Sequence, residues 1–313
     1  MHPWNEPLFE GLHGRLERFP HALLIHGVKG TGKLALAERV AQLLLCESSG
    51  TRPCGRCEGC RWLAAGSHPD FRRIEPEALA KNPVPAAEDA ETPAKRVKPS
   101  IDIKIEQVRE LAGFLNLRSH RGRLRVALVH PAEEMVPSAA NALLKGLEEP
   151  PPGAVFILVS HRPSQLLPTI RSRCVALAVP IPPRPAALAW LAEQGVPNPE
   201  RWLAYAGGAP LRAAEFAARA AVLERLLQHP VPVGEREELE ALADALQKIA
   251  VDRVLAGFGL APKYQTGGPA VPRTKVASWL AYAREMGQHR LLCRHPLNPK
   301  LFSAEMLAGL PRG

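Results

Sequence analysis

The sequence predicts a parallel α/β domain followed by an all-helical region, and three observations carry that reading. Short apolar runs alternate with helix-spaced segments from His21 to Val179, the pattern of a parallel sheet covered by helices on both faces. The first run feeds a glycine-rich loop of the phosphate-binding kind. Beyond the proline cluster at Pro180, Pro182, Pro183 and Pro185 the strand-like runs stop, and Leu/Ala-rich helical spacing takes over.

Each element has its own signal. His21 to His26 is a short apolar run ending at Gly27, which predicts a buried strand entering a loop. Leu34 to Leu45 repeats apolar residues at helical spacing, with Glu38, Arg39 and Gln42 on the polar side. Phe71 to Ile74 predicts a second strand. Residues 75–100 are rich in Pro, Ala and charge and are too poor in apolar surface to offset ordering entropy, so they are expected to form a mobile surface insertion. A helix follows over Ile105–Leu115, then a strand over Leu124–Val129, a helix over Ala139–Leu147 and a strand over Ala154–Val159, with the pattern closing near Cys174–Val179. Past the linker, helices are predicted over Ala186–Gln194, Glu200–Ala206, Leu211–Leu227 and Glu235–Phe258, and again from Thr274 onward after a break at Pro262–Pro272.

Composition bounds the function. The chain has 313 residues, enough for two or three domains, with 46% hydrophobic and 23% charged residues, ordinary for a globular protein. A formal charge of +9 and runs such as Arg118 to Arg123 suit an acidic partner such as nucleic acid, although a solvated basic surface gives the same count. No apolar run approaches the ~18–20 residues that cross a bilayer, and Met1 to Pro7 lacks the layout of a signal peptide. Six cysteines, four of them close together, do not resemble a secreted disulfide scaffold. A reduced, cytoplasmic protein is expected.

Gly27-Val28-Lys29-Gly30-Thr31-Gly32-Lys33-Leu34 fits G-x-x-x-x-G-K and departs only at its last position. Glycines let backbone N–H groups close around phosphate oxygens, and Lys33 would reach the outer phosphates. Leu34 stands where a Ser or Thr hydroxyl would meet Mg²⁺. The strand Val126–Val129 runs into His130-Pro131, and the carboxylates Glu133 and Glu134 come only afterwards, on a loop or the start of the next helix. Two magnesium functions are therefore missing from one site. Nucleotide binding at Gly27, Gly30, Thr31, Gly32 and Lys33 stays open, and hydrolysis is not expected of the isolated chain.

Cys46, Cys54, Cys57 and Cys60 are spaced C-x7-C-x2-C-x2-C, so four thiolates could hold one tetrahedral ion, and soft ligands of this kind select zinc. Gly55 and Gly59 ease the turns, while Arg52, Arg56 and Arg61 can offset the thiolate charge. An iron–sulfur cluster, a redox pair or unliganded surface thiols are the alternatives; no thioredoxin-like unit surrounds the motif. Cys174 and Cys293 stand apart and are expected to be packing residues.

Two further segments complete a resemblance. Ser138 to Pro151, ending Leu147-Glu148-Glu149-Pro150-Pro151, and Ile170-Arg171-Ser172-Arg173-Cys174 are similar to segments of bacterial clamp-loader subunits, as is a cysteine module directly after a phosphate-loop helix. Over residues 20–180 the chain resembles the delta-prime family of DNA polymerase III clamp-loader subunits, within the AAA+ superfamily. The resemblance implies an AAA+ P-loop domain over 1–179 with the zinc module at 46–60, a small helical lid over 180–222, and an all-α collar domain over 223–313. It implies as partners the gamma/tau and delta subunits and, through the complex, the sliding clamp and primed DNA, in a nucleoid-associated replisome. It also implies that Arg173 acts in trans as an arginine finger on a neighbour's ATP; the plain alternative is a surface arginine paired with a carboxylate. Arg212 is implied to point toward the chain's own nucleotide site, with a solvated helix arginine as the alternative. The basic stretch Lys263 to Lys300 is implied to pack in the collar.

Two other functions compete. An active gamma/tau-type ATPase would need Glu133 or Glu134 as a replacement magnesium ligand. A zinc-dependent nucleic-acid binder would use Arg52, Arg56 and Arg61, with Trp62 as its sole stacking platform in the cysteine loop.

Overall fold

The computed structural model describes residues 1–80, 99–117, 119, 124–268, 271–293, 295 and 297–311. Most of the expected 75–100 insertion (81–98) and most of the arginine run (118 and 120–123) lie outside the described residues. The chain divides into two compact units, Met1–Ile181 and Pro182–Gly313, and the division falls inside the proline cluster.

The first unit is built on five strands: β1 (Ala22–His26), β2 (Phe71–Ile74), β3 (Arg125–Val129), β4 (Ala154–Ser160) and β5 (Val175–Ala178). They form one sheet in the order β2-β3-β4-β1-β5, with every pairing parallel. Its α-helices among the described residues are α1 (Glu6–His13), α2 (Lys33–Leu45), α3 (Glu58–Ala64), α4 (Ile105–Asn116), α5 (Pro137–Glu148) and α6 (Pro168–Arg173).

The central strands explain why these segments read as continuous apolar runs. Every residue of β3 and β4 is buried, as expected for strands covered on both faces. Successive side chains divide between two cores. Leu23, Ile25, Val126, Leu128, Val155, Ile157 and Val159 face α1 and α2, in the core that includes Leu36, Val40 and Leu44. Ala22, Leu24, Ala127, Val129, Phe156 and Leu158 face the other way, toward Leu111 of α4, Leu143 of α5 and Ile170 of α6. The period of two along the strands thus feeds both layers.

The second unit comprises α7 (Arg184–Glu193), α8 (Pro199–Tyr205), α9 (Pro210–Ala218), α10 (Ala220–Gln228), α11 (Arg236–Gly257), α12 (Val276–Leu292) and α13 (Pro299–Ala308). Leu191, Trp202, Tyr205 and Phe216 pack α7, α8 and α9 together. Leu242, Leu246, Trp279, Met286 and Phe302 pack α11, α12 and α13. Helix α10 serves both cores, with Leu223 in the first and Leu226 in the second.

Four local features differ from the sequence reading. The single helix expected over Leu211–Leu227 is two, broken at Arg219, whose backbone (φ −111°, ψ 22°) leaves the helical region. No glycine or proline marks this break, because α10 turns to reach two cores. Helices α1, α3 and α6 were not anticipated; each has fewer than nine residues, too short to show a helical period.

Candidate functional site

Strand β1 delivers the chain into the phosphate loop, and α2 carries it away. Gly27, Gly30 and Gly32 all have positive φ. Gly32 (φ 83°) is the N-cap of α2, and a Cβ there would collide with the His2 ring, so only glycine fits. The neighbour responsible for that collision is the chain's own N-terminal segment. Trp4 Nε1 donates to the Thr31 carbonyl at 2.9 Å, and Asn5 Nδ2 donates to the Thr31 and Gly32 carbonyls at 3.0 and 3.3 Å. His2 stacks on Trp4 with ring centroids 4.8 Å apart.

Lys33 is 2% exposed and turns back on its own loop, donating from Nζ to the Val28 carbonyl at 2.6 Å. Thr31 Oγ1 donates to the same carbonyl at 3.1 Å. Burial pulls the Lys33 ammonium down to about 8, against the opposing pull of the nearby Glu133 carboxylate. Leu34, in the position of the magnesium hydroxyl, packs on the core shared by β1 and α2.

The end of β3 completes this region. His130 is buried, and its ring meets that of His161 edge-on at 5.3 Å. Burial is the main cause that lowers both imidazoles, His130 to about 4, so both are neutral near pH 7. Glu133 and Glu134 lie on a short 3-10 turn past Pro131, where a loop or helix start was expected. Glu133 Oε1 accepts from the His161 backbone N–H at 2.9 Å, and Arg162 holds Glu134 at 2.8 Å. Sequence reasoning left Glu133 as a late carboxylate; the tertiary fold brings it within electrostatic reach of Lys33. Trp4, Asn5 and His2 were also missed, and no local signal could have linked them to a loop more than twenty residues away.

The cysteine module sits between α2 and α3. Cys46 caps the C-terminus of α2, and Cys57 caps the N-terminus of α3, accepting at Sγ from the Cys60 N–H. The Cys54 N–H reaches Cys46 Sγ at 3.4 Å, and the Cys57 N–H reaches Cys54 Sγ at 3.3 Å. All four Sγ atoms lie within 4.8 Å of one another, with Cys46 and Cys57 at 3.9 Å. Four sulfurs at ~2.3 Å from a tetrahedral zinc stand roughly 3.8 Å apart, so the donor set fits that ion. The backbone N–H groups of Arg56 and Cys57 draw the Cys54 thiol down to about 6, toward the thiolate that binds metal. Cys60, buried beside the other thiols, is pushed up to about 12. Gly59 is required where α3 crosses the end of α2, because a Cβ would lie 2.6 Å from the Leu45 carbonyl oxygen. Trp62 is turned edge-on to the His68 ring at 6.0 Å, and Arg52 donates to the Ser48 carbonyl.

With this geometry in place, comparison with known proteins decides the family. The family described as DNA polymerase III, delta subunit, matches residues 9–182. The chain belongs to that family. Relatives include the DNA polymerase III delta-prime subunit of Pseudomonas aeruginosa, 44% identical over 218 residues that cover 68% of this chain and 60% of that protein. The delta-prime subunit of Escherichia coli is 36% identical over 62% of this chain and 53% of its own length. The tau subunit of Escherichia coli is 34% identical over 51% of this chain and 22% of its length. The chain therefore matches about half to three-fifths of the delta-prime relatives.

The two segments that carried the resemblance meet in space. Arg173 ends α6 and Glu148 ends α5, and Arg173 Nη2 lies 2.6 Å from Glu148 Oε1. Cys174 packs against the sheet core beneath, half-buried, and Cys293 is fully buried in the second unit, as expected of packing residues. Arg212, in the second unit, pairs with Glu215 at 3.1 Å and lies over the Phe216 ring at 4.4 Å. Both contacts lie within the second unit.

Proposed function

We propose that this chain is a non-hydrolysing subunit of a DNA polymerase III clamp loader, contributing an arginine to a neighbouring ATPase subunit. One observation carries the reading. The phosphate loop uses its polar groups within the chain, with Lys33 on Val28 and the Thr31 and Gly32 carbonyls on Trp4 and Asn5. The finger candidate Arg173, by contrast, keeps a third of its side chain at the surface. A neutral His130 at the end of β3 and Leu34 in α2 agree with that division of labour, since neither provides an anionic or hydroxyl oxygen for Mg²⁺.

In this assignment the cysteine module holds a structural zinc, residues 180–222 act as the lid and residues 223–313 as the collar. The partners are gamma/tau and delta subunits in a cytoplasmic replisome, with the sliding clamp and primed DNA engaged through the assembled loader. Arg173 stabilises charge on the phosphoryl group transferred in the neighbour's site, an effect worth ~10³–10⁵ in rate for arginine fingers. No helix among the described residues is long and apolar enough to cross a membrane.

The test is reconstitution with the other loader subunits. The chain alone is expected to show no DNA-stimulated ATP turnover. Arg173→Ala should assemble normally and slow ATP-driven clamp loading. Robust Mg²⁺-dependent hydrolysis by the chain, abolished by Lys33→Ala, would overturn the reading. That outcome would favour a gamma/tau-type ATPase, whose supporting observations are the tau relative and a Glu133 carboxylate within electrostatic reach of Lys33.

A further inference from the structure

Arg173 is not a loose surface side chain. Its Nη1 donates to the Thr169 carbonyl at 3.0 Å and stands 3.5 Å from Ser172 Oγ, while Nη2 meets Glu148 Oε1 at 2.6 Å. The Ser172 hydroxyl is itself tied to the Thr169 carbonyl at 3.0 Å. One partner, the Thr169 carbonyl, therefore comes from the first turn of α6 itself and the other from a different helix, α5.

Glu148 does nothing for its own helix. A carboxylate in the last turn opposes the helix dipole, which favours cations there. The side chains of Glu148 and Arg173 are 48% and 34% exposed, and a pair that open to solvent adds little stability. What such a pair does supply is direction. A guanidinium is a rigid plane with five N–H donors. Held on one side by a carboxylate and on another by a backbone carbonyl, it retains donors for a third acceptor in a fixed orientation.

We propose that Glu148 is the positioning residue for Arg173: it fixes the guanidinium so that the remaining donors meet a phosphate oxygen of the neighbouring subunit. The inference rests on the reading of Arg173 as a finger in trans. It also gives the Leu147-Glu148-Glu149-Pro150-Pro151 turn a task, because the prolines end α5 where its last carboxylate reaches α6.

The experiment compares loaders reconstituted with the full chain carrying no change, Glu148→Ala, Glu148→Gln, Arg173→Ala, or both alanine changes. Clamp-loading rate, kcat and KM for ATP are measured alongside assembly and thermal melting of the free chain. Misplacing a catalytic group by ~1 Å can cost up to ~100-fold, so Glu148→Ala is expected to lower kcat about fivefold to tenfold with KM unchanged. Glu148→Gln, which keeps a hydrogen bond without the charge, should fall between it and the unchanged chain. Adding Glu148→Ala to Arg173→Ala should cost nothing more. If Arg173→Ala slows the loader and neither Glu148 change does, the positioning role is overturned and the finger stands. An equal loss from Glu148→Ala on the Arg173→Ala background would mark a structural effect and also overturn it. No effect of Arg173→Ala would remove the finger reading itself, and this inference with it.

Discussion

Two buried lysines show how single residues set the electrostatics here. Lys33 answers to its own loop and to Glu133. Lys248, on α11, is 8% exposed; its ammonium lies 2.6 Å from Asp244 and 3.7 and 4.3 Å from the Tyr205 and Phe216 ring centroids. Burial draws it down to about 8, while Asp244 pulls it up and Arg212 and Arg290 push it further down. A lysine whose folded value lies below its unfolded value of 10.5 penalises the folded state below pH 8 and is relieved as pH rises. Wild type should therefore gain stability relative to Lys248→Met between pH 8 and pH 10.5. A fall from the ordinary lysine value to about 8 corresponds to ~3 kcal/mol, read as the difference between guanidinium unfolding curves at about pH 7 and about pH 10. A pH-independent difference would show that Lys248 titrates normally. At Lys33, Lys33→Met should leave clamp loading by the reconstituted complex unchanged within about twofold, in contrast to the loss typical of an active phosphate loop.

At the scale of elements, the cysteine module joins the C-terminal end of α2 to the start of α3. Cys46 ends α2 and Cys57 starts α3, so a bound ion would fasten both caps to one centre. Structural zinc in small modules contributes ~10–16 kcal/mol of apparent binding energy. The purified chain is expected to carry one zinc, measured by inductively coupled plasma spectrometry. Cys57→Ser should lose it and lose amide-exchange protection over residues 46–64, while β1, β3 and β4 stay protected. Gly59→Ala should cost ~1–3 kcal/mol through its clash with the Leu45 carbonyl, without altering zinc content.

For the whole molecule, each unit holds its own cores among the described residues. A fragment spanning Pro182–Gly313 should therefore fold alone, giving a helical circular-dichroism spectrum and a cooperative melt. Within it, α10 belongs to both cores, so Leu226→Ala is expected to lower the melting temperature of the whole fragment instead of splitting its transition. Two separated transitions would show instead that the α7–α9 and α11–α13 cores fold independently.

The sequence by itself determined the layered α/β architecture, the phosphate-loop backbone and the cysteine cluster. In each, the information is local: a period of two in buried strands, glycines at positive φ, and thiols a few residues apart. The break at Arg219, the contacts of Trp4 and Asn5 with the loop, Glu133 on the His161 N–H and Glu148 on Arg173 were decided only by tertiary structure. Each depends on segments far apart in the chain arriving at one place, and residue spacing alone encodes no such meeting. The parallel strands β1, β3 and β4 bring the loops that follow them to one end of the sheet, where Glu133 meets the His161 N–H, while the glycine loop is tied to Trp4 and Asn5 of the N-terminal segment.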